Sequence, residues 1–268
     1  MKRILDKIGG DALYFLNQAG LLTIFLFTTL QRMVMPPYRL FPVVKQIHFI
    51  GARSMLVILV AGTFTGMVIA LQFYNTLVRF GSVNLLGSAV GISLIREMGP
   101  VLTALMVIGR AGSAICAEVG IMRTDEQIDA LECMAIDPYR YLIAPKIIAG
   151  VISLPVLTFI FIFIGIMGGY LVGVLIFGVG EGAYFQGMYD GVLWSDIQMG
   201  LVKSLVFGLI IVWIASAKGF LLHLDRSGAY GAEGVSRITT NAVVLSSIAI
   251  LFADYLISAL MHEPGMAS

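Results

Sequence analysis

Between Lys146 and Glu181 the chain runs for 34 residues without one acidic or basic side chain. That run exceeds the ~20 apolar residues needed to cross a ~30 Å hydrocarbon core. Inside lipid the backbone must satisfy its own hydrogen bonds, which leaves helices or closed barrels. Residues 54–78, between Arg53 and Arg79, make a second uncharged run of 25. Charged residues are 12% of the chain, against about 25% in soluble domains. The expected fold class is an all-α polytopic membrane protein.

Five spanning helices are expected. The first covers about 54–76. The second covers about 86–117 and carries Arg96, Glu97 and Arg110. The third is the 146–181 run, long enough to tilt, with a kink expected at Pro155. The fourth covers about 197–217 with Lys203, and the fifth about 239–261 with Asp254. Residues 12–31 form a further apolar run with basic residues on both sides: Lys2, Arg3 and Lys7 before it, and Arg32, Arg39, Lys45 and Arg53 after it. Crossing would place one of these clusters outside, against the positive-inside rule. A helix lying in or against the cytoplasmic leaflet leaves both inside. No small-x-small site follows the run, so a cleaved leader is not expected. With the N-terminus inside, 13 of the 17 Lys and Arg residues fall on the cytoplasmic side, Arg79 falls outside, and Arg96, Arg110 and Lys203 fall within spans. The expected organisation is a cytoplasmic N-terminal part at 1–53, a five-helix domain at 54–262 and an outer tail at 263–268.

Segment 118–140, EVGIMRTDEQIDALECMAIDPYR, is a charged island. It holds six of the sixteen acids: Glu118, Asp125, Glu126, Asp129, Glu132 and Asp137. Thr124 to Gln127 reads T-x-x-Q, the pattern of a capping box. Asp125 and Glu126 would occupy the first turn, where the helix dipole favours acids. Ile128, Leu131 and Ala135 fall on one face, with Met134 beside them, and Asp125, Asp129 and Glu132 on another. Pro138 disfavours helix at Asp137 and ends the element. A short helix within 124–136 follows, with a greasy face and an acidic one. A solvated connector could carry the acids, but an apolar stripe in water calls for something to cover it.

Charges within spans are costly and are functional candidates. At 1.5 Å per residue, Arg96 and Glu97 lie roughly 15 Å, and Lys203 roughly 10 Å, from the outer ends of their spans. Asp254 lies roughly 25 Å above Arg237, in the same outer half. The four converge on one layer with zero net charge. Two readings fit: a polar lining that meets a lipid headgroup through Arg96 and Lys203, with Glu97 and Asp254 steadying them, or buried ion pairs that fix helix packing. Arg110, with Glu118 two turns further on, is read as bracing the inner end of the second span against the cytoplasmic helix. Gly99-Pro100 follows the Arg96–Glu97 pair, frees a carbonyl and bends the helix.

Gly165, Gly169 and Gly173 on the third span, and Gly62, Gly66 and Ala70 on the first, make faces that allow close helix approach, within one subunit or across a dimer seam. The outer loop 178–196 carries Tyr184, Phe185, Tyr189 and Trp194, as membrane-edge anchors or as contacts for a partner. Cys116 and Cys133 have no partner motif, and His48, His223 and His262 are scattered. There is no HExxH and no GxSxG, so no catalytic residue, metal, cofactor or nucleic-acid partner is expected. There is also no GxxxxGK[ST], and Lys218-Gly219 stands in the wrong order for such a loop. Any ATP-driven step would need a second polypeptide.

Residues 109–150, GRAGSAICAEVGIMRTDEQIDALECMAIDPYRYLIAPKIIAG, resemble the signature of the MlaE/YrbE family, through EQIDAL and the following DPxxYL–P. The likeness extends over about 48–262. It implies an ABC transporter permease that acts on phospholipid in a bacterial inner membrane and maintains outer-membrane lipid asymmetry. It implies a homodimer, with a periplasmic MCE-domain partner, a small STAS-domain partner and a periplasmic C-terminus. It also implies a separate ATPase that docks on the 124–136 helix. On this reading Ile128, Leu131 and Ala135 would enter the ATPase groove while Asp125, Glu126, Asp129 and Glu132 face its rim. The competing class is an ion-coupled secondary transporter using Glu97 or Asp254, against which no inverted repeat is visible.

Overall fold

The computed structural model describes residues 2–33, 40–224 and 231–261, with side chains from residue 13 on except those of residues 14 and 15. The tail expected at 263–268 lies outside them. All regular structure among the described residues is helical. Helix α1 is Lys2–Met33. Five helices are long and apolar enough to cross a membrane: α2 (Leu40–Arg79), α3 (Val83–Thr124), α5 (Tyr139–Ile176), α7 (Trp194–Phe220) and α8 (Gly231–Met261). Between them lie two short helices, α4 (Gln127–Cys133) and α6 (Glu181–Gly191). The chain order puts α4 at one end of the bundle and α6 at the other.

The spans are longer than their uncharged runs, because helices continue past the apolar core and carry their charged ends with them. Helix α2 bends through a tight turn at Ala52–Ser54. Helix α5 is continuous through Pro155, with regular helix from Ala144 to Tyr170. Wide π-helical turns occur at Tyr139–Ile143 and Leu171–Ile176, and in α3 at Leu94–Met98 and Ile108–Gly112.

The glycine faces are used within one chain. A Cβ on Gly66 would stand 1.8 Å from the carbonyl oxygen of Gly165, so only glycine lets α2 lie directly on α5. Gly169 and Gly173 face Tyr184, Val90 and Leu86 of α6 and α3 in the same way. Tyr184 is thus not a membrane-edge anchor. It is fully buried and donates to the carbonyl of Ile166 at 3.1 Å. Burial pushes its phenol far above the ordinary range and keeps it a donor.

Helix α1 is not among the five candidate spans. It packs at the α4 end of the bundle. Leu22 and Phe25 are buried there. Trp213 of α7 donates to the carbonyl of Leu22 at 2.9 Å, and Lys218 to Gln18 at 3.1 Å. Phe25, Tyr139 and Phe220 form an aromatic cluster with ring centroids 5.1–5.5 Å apart, which ties α1 to the start of α5 and the end of α7.

Candidate functional site

The charged layer is built around Lys203. Its side chain is completely buried. Nζ stands 2.6 Å from Oε2 of Glu97 on α3, 2.8 Å from Oδ1 of Asp254 on α8 and 3.0 Å from the carbonyl oxygen of Arg96. An ammonium has donors and no acceptor; Glu97 and the Arg96 carbonyl take hydrogen bonds from it, and Asp254 adds an ion pair. The Arg96 carbonyl is available for a sequence reason. It is the oxygen that the amide of residue 100 would take in a regular helix, and Pro100 has no amide hydrogen. The chain widens there into the π turn, with the amide of Gly99 reaching the carbonyl of Leu94. Gly200 lets α7 approach, since a Cβ there would stand 2.6 Å from the carbonyl of Ile95. Ser258 adds a hydroxyl to Oε1 of Glu97 at 3.2 Å.

Three of the four expected charges therefore meet, on three helices. Arg96 goes elsewhere: its Nη1 lies 3.5 Å from Oδ1 of Asp196, in the first turn of α7. Adjacent helical residues point about 100° apart, so Arg96 and Glu97 serve different neighbours. Asp196 itself is buried and accepts from the amide of Leu193 at 2.9 Å, which closes the start of α7. No role was assigned to Asp196 from the sequence. Its place in the first turn of a span, where acids suit the helix dipole, was the available signal. Lys203 is not poised to receive a lipid phosphate, as the first of the two readings had it. Arg96 and Glu97, with side chains 30% and 45% exposed, are the accessible members.

The partners of Arg110 and Glu118 lie on α2 and α5, not on the cytoplasmic helix that the brace was expected to reach. Arg110 donates to the carbonyl of Phe49 at 3.0 Å and to the Ser54 hydroxyl at 2.9 Å, across the bend in α2, and stands over the Phe49 ring. Glu118 pairs at 2.6 Å with Lys146 of α5, whose side chain is buried. The π turn at Ile108–Gly112 shifts the helical phase between the two residues, which two-turn spacing cannot anticipate. Lys146 was read as the edge of an apolar run. It is the clamp between α3 and α5 at the α4 end.

Helix α4 is shorter than expected and has different ends. Thr124 is not its cap: it closes α3, and its hydroxyl donates to the carbonyl of Gly120 at 2.9 Å. The residue before α4 is Glu126, in a left-handed conformation with φ 59° and no side-chain cap. Ala135 is not on the helical stripe. It is left-handed too, with φ 57°, in a Schellman ending where Ile136 and Ala135 donate to Leu131 and Glu132, both at 2.9 Å. Glu126 and Ala135 are the non-glycine residues with positive φ among those described. Such conformations persist only where the surroundings hold them.

Ile128 is fully buried in its own chain, so it fastens α4 to the bundle and is not offered outward. Leu131 is half-buried, while Asp125, Glu126, Asp129, Glu132, Met134 and Ile136 are exposed. Arg123 bridges from α3. Its Nη1 meets Asp129 at 2.6 Å, its Nε donates to Nδ1 of His223 at 3.1 Å, and its guanidinium stands over Phe220. Burial, and then the Arg123 charge, push the His223 imidazole below its ordinary value, which keeps it a neutral acceptor. The acidic helix is thus wired to the end of α7, the helix that carries Lys203. No group of three or more His, Cys, Asp and Glu among the described residues is placed to hold a metal ion.

Comparison with known proteins gives a consistent picture. A model of the family described as Permease MlaE matches residues 43–260. The intermembrane phospholipid transport system permease protein MlaE of Haemophilus influenzae is 46% identical over 83% of both chains. A probable ABC transporter permease protein of Rickettsia prowazekii is 40% identical over 97% of this chain and 98% of its own. The chloroplastic protein TRIGALACTOSYLDIACYLGLYCEROL 1 of Arabidopsis thaliana is 34% identical over 82% of this chain and 61% of its own length. With five spans, an acidic helix between the second and third, and these likenesses over most of its length, the chain belongs to the MlaE permease family.

Proposed function

We propose that the chain is the membrane subunit of an ATP-driven phospholipid transporter of a bacterial inner membrane. Its α4 end faces the cytoplasm, its α6 end faces the periplasm, and α1 lies along the cytoplasmic leaflet. The subunit works as a homodimer with a separate ATPase, and with MCE-domain and STAS-domain partners. The Haemophilus influenzae relative supplies the substrate class. The observation that carries the coupling role is α4 itself. It is fastened inward by Ile128, fixed at both ends by left-handed residues, and presents Asp125, Glu126, Asp129 and Glu132 outward. Met134, 62% exposed, and Ile136 supply the outward apolar contact that the sequence reading had given to Ile128 and Ala135. In the outer layer Arg96, with Glu97 beside it, meets the lipid headgroup, and Lys203 with Asp254 holds that pair in position. An ion-coupled cycle is disfavoured, because both of its carboxylates are tied to Lys203.

Charge reversal on α4 tests the coupling. The Asp125→Lys/Glu132→Lys double variant is expected to insert and remain monodisperse but to lose co-purification with its ATPase by about tenfold or more, since like charges then oppose a basic rim. Unchanged co-purification would remove α4 from the interface.

A further inference from the structure

At the α4 end, a cavity of about 460 Å³ opens between the end of α1, the start of α2 and the first turns of α5. Among the described residues its charged lining is Arg32, Arg140 and Asp137. Arg32 pairs with Asp137 at 2.5 Å and lies over the Tyr139 ring, which fixes one guanidinium at the rim. The rest of the lining is mostly apolar, and it is directional. Ala144, Ile148 and Ile152 line it from successive turns of α5, a rise of roughly 12 Å into the span. Ile152 is 46% exposed although it lies within a helix that crosses the membrane. A furrow with cationic groups at its mouth and isoleucines running into the hydrocarbon fits an anionic headgroup with an attached acyl chain. A soluble protein segment could reach the mouth but not Ile152.

We propose that this furrow binds one phospholipid of the α4-side leaflet, with its phosphate between Arg32 and Arg140 and one acyl chain along Ile148 and Ile152. The site is separate from the Arg96–Lys203 layer, which lies in the opposite half of the bundle. Two arginines at the mouth suit the geometry of one phosphodiester, and the volume is within the ~300–1,000 Å³ of ordinary ligand sites. This deepens the lipid-transport reading and rests on it for its purpose, because it gives lipid a holding position on the cytoplasmic side.

The test uses the full chain in nanodiscs and a phosphatidylglycerol whose acyl chain carries a photoreactive diazirine, with adducts mapped by peptide mass spectrometry. Adducts are expected to concentrate on residues 140–152 relative to Phe64, Val68 and Ile248, exposed side chains of other spans. Arg32→Gln/Arg140→Gln should lower that adduct by about tenfold, as expected for loss of charge-assisted contacts. Ile152→Trp, which fills the furrow and spares both arginines and the Arg32–Asp137 pair, should lower it as much. Labelling of Phe64, Val68 and Ile248 should not change in either variant. Adducts spread evenly over the lipid-facing surface, or unaffected by Ile152→Trp, would overturn the proposal. So would displacement by millimolar glycerol 3-phosphate, which would mark a site for soluble phosphate esters. Because no ATPase is present, failure here is distinct from failure of ATP-driven transport.

Discussion

At the scale of single residues, Lys203 sets the expectations. It is a buried cation with three oxygen partners, and two of them are carboxylates from other helices. Removing it leaves Glu97 and Asp254 facing each other without compensation. Breaking such a group from one side costs about 3–5 kcal/mol, whereas replacing all of its members by neutral groups of similar shape is often tolerated. Lys203→Met is therefore expected to destabilise the purified protein strongly. Glu97→Gln/Lys203→Met/Asp254→Asn should recover most of the loss, as read by thermal unfolding in detergent. A single variant as stable as the parent would show that the cluster contributes nothing to packing. Depth along each span was legible in the sequence, because counting residues from a charged boundary is enough to place Glu97, Lys203 and Asp254 in one layer. Pairing was not legible. It depends on the direction in which each side chain leaves its helix, and a proline-driven π turn alters that direction at Arg96 and Glu97.

At the scale of elements, α4 shows where pattern and structure part. The existence of a short acidic helix between the second and third spans was readable from composition. Its ends were not. The T-x-x-Q pattern suits the start of a helix, but Thr124 also finds its own last-turn carbonyl, and α3 simply runs on to it. The stripe of Ile128, Leu131 and Ala135 assumed regular helix through residue 135, and the chain reverses hand at that residue. Alanine in the left-handed region costs about 1–2 kcal/mol, a penalty that glycine avoids. Ala135→Gly is expected to tighten the Schellman ending, provided the added freedom of the unfolded chain does not cancel the gain. Slower hydrogen exchange at the Ile136 amide, which bonds to Leu131, would register that gain. Faster exchange would mean that the alanine conformation carries no strain. The brace at the other end of the same connection, Lys146 with Glu118, could not be read because a lysine beside a long apolar run resembles a boundary.

At the scale of the molecule, the uncharged runs fixed the class and the number of spans, and helix α1 stays at the α4 end among Trp213, Lys218 and Tyr139. The glycine faces were legible as faces, but not as to which neighbour they serve. Gly66 on Gly165 places that contact inside one chain, so a second copy would have to use other surfaces. The chain offers an acidic helix wired through Arg123 to α7, and α7 carries the buried cation of the charged layer. That continuity is the central claim: energy enters at α4 from another polypeptide and is used on lipid near Arg96. The direct measurement is movement of a fluorescent phospholipid between vesicles holding the reconstituted protein and an acceptor. The account predicts movement only when the ATPase subunit and hydrolysable ATP are both present, with none from a proton or sodium gradient alone. Movement driven by an ion gradient without the second subunit would contradict it.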